Sequence, residues 1–372
     1  MNFYIYDKSY PFIYSFLKDK PKKHSVCYKN LTENQYLNLK EVCLEVFSVY
    51  EKDAYPGTLN LVFNCRKTSL NKEANILHYM PHTNDKEFSV YRRFKLRKFL
   101  LKNCEIDGVS ELDFSEELFN KKYDIIFCST CHHTFPLVAK AKHDKSLLVY
   151  DRTDNWSALK DRLKNEEELL IENSDIIFCS SKYLFDSLPE CFKPKAILIE
   201  NGCEIKPFVK IKKYSKKTAV YSGRSMSKVD IIFLNELAEK NPDWNIKVFA
   251  SGDKNENLSK KIIFHTFVTE DVLHKELCKC HVGLIPFVLN GYTKGMLPLK
   301  LFNYANAHLP VLYSNCDNCR NFNFAFSAEK HSLDDLLNFS FDFDSYLQEF
   351  DWNKKFEYMI EKIKEFNIEN KK

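Results

Sequence analysis

Glycine is scarce, with 8 residues in 372. That excludes a collagen-like chain and Gly-rich low-complexity sequence. No uninterrupted apolar run approaches the ~20 residues that a spanning helix needs. The opening residues, MNFYIYDKSYPF, lack the basic start, apolar core and small-residue cleavage site of a secretory signal, so a cytoplasmic protein is expected. Charge of one sign is not in excess either. The 55 Lys and Arg against 51 Asp and Glu leave +4, too near balance for a dedicated nucleic-acid binder. Any basic function therefore belongs to a local patch, and no internal repeat stands out.

What is present is ordinary globular sequence, 44% hydrophobic and 28% charged, which rules out a disordered chain. At roughly one domain per ~150 residues, the length suggests two domains. The 13 cysteines, an odd number spread from Cys27 to Cys319, fit reduced thiols better than a disulfide framework.

Short apolar runs alternate with helical spacing. Strands are predicted at Asn2–Tyr6, Ser25–Tyr28, Leu59–Asn64, Tyr123–Cys128, Leu147–Tyr150, Asp175–Cys179 and Ala196–Ile199, with helices at Phe135–His143 and Asp161–Glu172 among them. Continuous β-branched and aromatic strands separated by helices indicate a parallel sheet covered on both faces. The stretch EIKPFVKIKKYSKK, 204–217, holds six lysines and Pro207 and reads as an exposed connection. A second series follows, with strands at Ala219–Ser222, Trp244–Ala250, Ile262–Phe264, Val282–Pro286 and Val311–Tyr313, and helices at Val229–Lys240, Glu270–Lys279 and Lys300–His308. The expected organisation is an α/β domain over 1–203, a linker over 204–217, a second doubly wound domain over 218–350, and a C-terminal helix over 351–372 packing back toward the first domain. Apolar residues at Phe356, Met359, Ile360, Ile363 and Phe366 give that helix its stripe.

Ligands of open parallel sheets sit beyond the carboxyl ends of the strands. Four such places carry candidates. In YDRTDNW, Asp151 and Asp154 follow a strand, where a carboxylate can serve as general base or simply cap the next helix. In YSGRSMSKVD, Gly223 lets backbone approach an anion, and Arg224 and Lys228 add positive charge; the plain alternative is a turn with two solvated cations. In PFVLNGYTKGMLPLKLFNYANAHLPVLYSN, Pro298 opens a helix whose first turn carries Lys300, a cation that opposes the helix dipole unless an anion binds there. In IENG, the Asn-Gly pair is sufficiently explained as a turn.

Taken in order, these segments resemble the GT-B glycosyltransferases. ENSDIIFCSSKYLFDSL looks like that group's helix, strand and Ser-initiated helix, and AILIENGCEIKPF like its interdomain signature with Glu200 in place of a proline. VYSGRSMSKVD resembles the diphosphate-side loop, its lysine one position early. CHVGLIPF with MLPLKLFNYANAHLPVLYSN resembles the donor-side strand and helix. The match covers roughly residues 123–315. YDRTDNW beside the C-terminal pattern is most similar to bacterial surface-polysaccharide transferases of the teichuronic-acid and xanthan glucuronosyltransferase type. Many retaining members carry two glutamates spaced E-x7-E; Gly295 and Asn303 stand at those positions here. Lys300, Asn303 and Tyr304 instead form K-x-x-N-Y, closer to the inverting xanthan-type enzyme.

The resemblance implies two Rossmann-like domains facing a central cleft. It implies transfer of a sugar from a nucleotide diphosphate donor, a UDP-sugar, to a hydroxyl of a glycan or lipid-linked acceptor in surface polysaccharide (capsule) biosynthesis. It implies no metal and no cofactor beyond the nucleotide-sugar co-substrate. Donor contacts are expected at Gly223, Arg224, Lys228, Thr293, Met296, Lys300, Asn303 and Tyr304, with Asp154 as base and Asp151 in reserve. His133 is an acceptor-side candidate or an ordinary loop histidine. The missing glutamates leave open a non-catalytic GT-B relative that binds nucleotide sugar or glycan for another transferase. Zinc at Cys128/Cys131, Cys278/Cys280 or Cys316/Cys319 is disfavoured, because those pairs fall at opposite sheet ends or in different domains.

One basic patch remains. YRRFKLRKFLLK, 91–102, has six cations and no acid, interleaved with Phe94, Leu96, Phe99, Leu100 and Leu101. As a helix it either lies on an anionic membrane through Arg92, Arg93, Arg97 and Lys98, peripheral to the inner face of the plasma membrane, or is a core helix with a wet charged face.

Overall fold

In a computed structural model the described residues are 123–129, 146–158 and 161–369 apart from Ser225, Asp253 and Phe267, together with short elements before residue 111. The early elements are β1 (Asn2–Tyr6), β2 (His24–Lys29), β3 (Glu45–Val49), β4 (Phe63–Asn64), β5 (Asn75–Met80), α1 (Arg92–Asn103) and β6 (Glu105–Ser110). The predicted helix Phe135–His143, and with it His133 and Cys131, lies outside the described residues.

Next come β7 (Ile125–Cys128), β8 (Leu147–Arg152), α2 (Asp161–Asn173), β9 (Ile176–Cys179), α3 (Lys182–Asp186) and β10 (Ala196–Leu198). β1, β2 and β3 form a parallel three-stranded sheet, and a seven-stranded sheet runs β10-β9-β8-β7-β5-β6-β4. Within it β6, β5, β7 and β8 are parallel, and the two-residue β4 is antiparallel to β6. β7 and β9 are buried along their whole length, as their unbroken apolar IIFC runs require.

The later elements are β11 (Lys217–Ser222), α4 (Ile231–Lys240), β12 (Trp244–Phe249), β13 (Ile262–His265), α5 (Glu270–Cys278), β14 (Val282–Pro286), α6 (Gly291–Gly295), α7 (Lys300–Asn306), β15 (Val311–Ser314), β16 (Ala325–Ser327), α8 (Phe343–Leu347) and α9 (Trp352–Glu369). Their sheet is wholly parallel in the order β13-β12-β11-β14-β15-β16. This is a doubly wound sheet whose strand order reverses between β11 and β14. At such a switch point the crossover helices leave toward opposite faces and a crevice opens beyond the strand ends. Asp230 caps α4 by accepting from Phe233 N at 2.9 Å, which fixes where the chain after β11 turns back.

The chain divides into two compact units, but not at residue 203. The first holds 1–152, 160–178 and 194–196; the second holds 153–159, 179–193 and 197–372. The 204–217 stretch is not a free linker. Phe208, Val209, Ile211 and Tyr214 pack on the second unit's core, and Tyr214 N donates to Lys279 O at 2.9 Å. Its apolar residues, interspersed among the lysines, reach the core while most lysine heads stay toward water. The start of α9 also belongs to the second unit: Trp352 N donates to Cys203 O at 3.1 Å, and the Trp352 ring stacks on Phe356. A Cβ at Gly202 would stand 2.5 Å from Phe350 O, so IENG needs its glycine for this close approach.

Candidate functional site

The switch point of the second sheet is framed by β11 and β14. At the end of β11, Gly223 N donates to Phe249 O at 2.9 Å, and a Cβ there would meet the Tyr221 hydroxyl at 2.2 Å. Only glycine leaves room for that tyrosine. Arg224 follows and is exposed. Past β14, Val229 and Phe287 form a bridge and Val288 N donates to Lys228 O at 3.0 Å, which ties the two strand-end loops together.

Two lysines meet here. Lys300 Nζ stands 4.9 Å from the centre of the Tyr221 ring and 4.6 Å from that of Phe287. Lys228 Nζ stands 4.0 Å over the Tyr292 ring. Aromatic faces hold cations through their quadrupoles without neutralising them. Neither ammonium pairs with a carboxylate or donates a hydrogen bond among the described residues. Desolvation pushes Lys300 down to about 8, and the neighbouring Lys228 charge adds to the effect. Desolvation also lowers Lys228, against the pull of Asp154. Lys300 is enclosed by protein yet retains part of its surface to solvent.

Asp154 reaches this place through Tyr292, whose hydroxyl donates to Asp154 Oδ1 at 3.0 Å. The segment 153–159 lies in the second unit with α6. Asn155 Nδ2 donates to Gly291 O at 2.8 Å, and Ser181 Oγ donates to Gly295 O at 2.8 Å while capping α3. Asn318 Nδ2 donates to Lys294 O and Met296 O, each at 2.9 Å. Asn201 Nδ2 donates to Leu297 O at 2.8 Å. A side-chain cradle therefore fixes the polar loop ahead of α7. Gly295 is part of the same fit: a Cβ would lie 2.7 Å from the Asn155 Cβ, so no glutamate fits at that position without displacing 153–159.

Two of the expected ligand residues have their polar groups engaged inside the protein. Tyr304 is fully buried; its hydroxyl accepts from Ser222 N at 2.9 Å and donates to Leu284 O at 3.0 Å, filling the space left by Gly283. Thr293 is buried in a capping box, donating to Val288 O at 2.6 Å. Met296 and Asn303 are half-buried, and the Asn303 side chain makes no hydrogen bond among the described residues.

Asp151 is no base in reserve. It is 0% exposed and meets Arg92 at 2.9 Å. Burial pushes its carboxyl upward, and the Arg92 charge opposes that shift. The same pair corrects the membrane reading. Arg92 and Arg93 are 3% and 8% exposed, so they point inward; Lys98 is exposed, and the Arg97 side chain lies outside the described residues. A cation run on a helix can serve a buried carboxylate as readily as a surface.

Tyr292, Asn155, Ser181, Asn201 and Asn318 were not singled out as site residues. The available signal was the polar run NGYTKG directly after a strand, whose partners lie more than a hundred residues away in the case of Tyr292 and Asp154.

No family model matches the chain. Over 213 residues it is 24% identical to TuaH of Bacillus subtilis (strain 168), described by inference as a teichuronic acid biosynthesis glycosyltransferase; the match covers 49% of this chain and 53% of that one. The chain thus spans about half the length of the curated relative it matches. Among solved structures, a glycosyltransferase from Rickettsia africae ESF-5 superposes with a TM-score of 0.57 at 12% identity, covering 80% of this chain and 99% of that one. Anabaena Alr3699/HepE in complex with UDP and glucose gives 0.52 at 12% identity, covering 79% and 100%. The fold is GT-B. GT-B glycosyltransferases are the proteins this chain is similar to, as the motifs along 123–315 imply.

Proposed function

We propose that this protein is a glycosyltransferase whose donor is a nucleoside diphosphate sugar, with UDP as the nucleotide. The observation that carries the reading is the lysine pair at the switch point. Lys228 and Lys300 hold two positive charges close together, against their own solvation, over aromatic rings and with no ion pair to a carboxylate among the described residues, Asp154 reaching Lys228 only through Tyr292. Such an arrangement opposes folding and favours a polyanion. A leaving diphosphate gains negative charge as the glycosidic bond breaks, so these ammoniums bind the transition state more strongly than the ground state. Arg224 stands at the rim of the same loop.

Asp154 is the proposed base that takes the acceptor hydroxyl's proton. Transfer by a single displacement, inverting the sugar, agrees with Gly295 and Asn303 at the positions where retaining relatives carry glutamates. The acceptor is a hydroxyl of a glycan or lipid-linked glycan in surface polysaccharide assembly, which the likeness to TuaH supports. The test is a panel of nucleotide sugars with release of the nucleoside diphosphate as readout. One or more UDP-sugars should be turned over; binding of all without turnover of any leaves a sugar-nucleotide-binding protein in its place.

A further inference from the structure

One side chain touches both halves of the proposed chemistry. Tyr292 holds the Lys228 ammonium 4.0 Å from its ring centre and donates its hydroxyl to Asp154 Oδ1 at 3.0 Å. It sits in the first turn of α6, which the capping box at Asn290 and Thr293 locks. The hydrogen bonds from Asn155, Ser181 and Asn318 hold the same loop from three other segments. The ring cannot tilt far without breaking one contact or the other. The second carboxylate oxygen, Oδ2, lies 3.5 Å from the Thr153 hydroxyl, too far for a strong bond, so Tyr292 supplies the better-formed of these two contacts.

We infer that Tyr292 is a positioning residue that aims the Asp154 carboxylate at the acceptor and couples its orientation to the lysine on the donor side. This rests on the proposed transferase reading. A hydroxyl donated to a carboxylate favours the ionised form, which is the form a base needs. The fixed geometry removes the cost of orienting the base at the moment of transfer. The ring holds Lys228 beside the donor site without discharging it, so the cation stays available to the diphosphate.

Tyr292→Phe deletes the hydroxyl and keeps the ring. It should bind UDP within about twofold of wild type, because Lys228 keeps its aromatic partner. Turnover should fall ~10-fold at unchanged KM for the donor, and the acidic limb of the pH–rate profile should move to higher pH. Combining it with Asp154→Asn should cost nothing beyond Asp154→Asn alone, since the hydroxyl acts through that carboxylate. The Asp154 carboxyl carbon, assigned in NMR spectra by its loss in Asp154→Asn, should titrate at measurably higher pH in Tyr292→Phe than in the wild type. That titration needs no substrate. An unmoved carboxyl overturns the inference whatever the wild type catalyses, and so does full turnover in Tyr292→Phe. A moved carboxyl in a wild type that neither binds UDP nor releases it from any donor sinks the transferase reading and leaves the Tyr292–Asp154 coupling standing.

Discussion

Two clusters of buried charge occupy the two units, and they are built on opposite plans. In the first unit Arg92 meets Asp151 at 2.9 Å and Arg152 meets Glu167 at 2.8 Å, and all four side chains are buried. In the second unit Lys228 and Lys300 repel each other and lie over aromatic rings, with no ion pair to a carboxylate among the described residues. Charges that serve the fold are neutralised where they stand. On the proposed reading, charges meant for a ligand are left without an ion-pair partner, and the fold bears the cost until the ligand arrives. The contrast separates Asp151 from Asp154, three positions apart in sequence, into a structural carboxylate and a candidate base.

The largest effect should come from breaking the matched cluster. Arg92→Met leaves Asp151 buried without its partner and should cost about 3–5 kcal/mol in denaturant unfolding. If it costs less than about 1 kcal/mol, the pair is not the structural charge argued here. Next, Asp154→Asn should fold normally and bind UDP, yet transfer sugar ~10²-fold or more slowly; near-normal turnover would move the base elsewhere.

Lys300 should behave in the reverse sense to Arg92. Its folded value, about 8, lies below its ordinary 10.5, so the unfolded chain binds more protons between those pH values. Its contribution to stability therefore rises with pH through about 8 to 10.5, and Lys300→Met should raise the denaturation midpoint at neutral pH and flatten that rise. A lower midpoint in Lys300→Met would show the lysine to be structural. The smallest effect is on binding. The charged lysine binds the anion, so UDP affinity should fall as pH rises past about 8, by no more than ~10-fold per pH unit, in calorimetric titrations from pH 7 to 9.

The second sheet is legible in sequence because its strands are short apolar runs bounded by turn signals; β14 begins and ends where its pattern does. β5 and β6 escaped because NILHYM and EIDGVS carry His78, Asp107 and Gly108 inside the strand, which breaks the apolar run. The candidate site was half legible. Lys228 and Lys300 follow strand ends, so position alone marks them. Tyr304 looked like a ligand because it lies on the same helix, but Gly283 makes a space that only its buried ring fills. Tyr292 meets Asp154 across sequence that no periodicity spans, and the inward turn of Arg92 depends on a carboxylate from another strand.

The central claim is that the lysine pair exists for a diphosphate. Titrating the wild type and Lys300→Met with UDP and with uridine at pH 7 tests it most directly. The account predicts that the wild type prefers UDP strongly, and that Lys300→Met loses about 1–3 kcal/mol of UDP binding while uridine binding is unchanged. Equal affinity of the wild type for UDP and uridine, or a UDP affinity untouched by Lys300→Met, would contradict it.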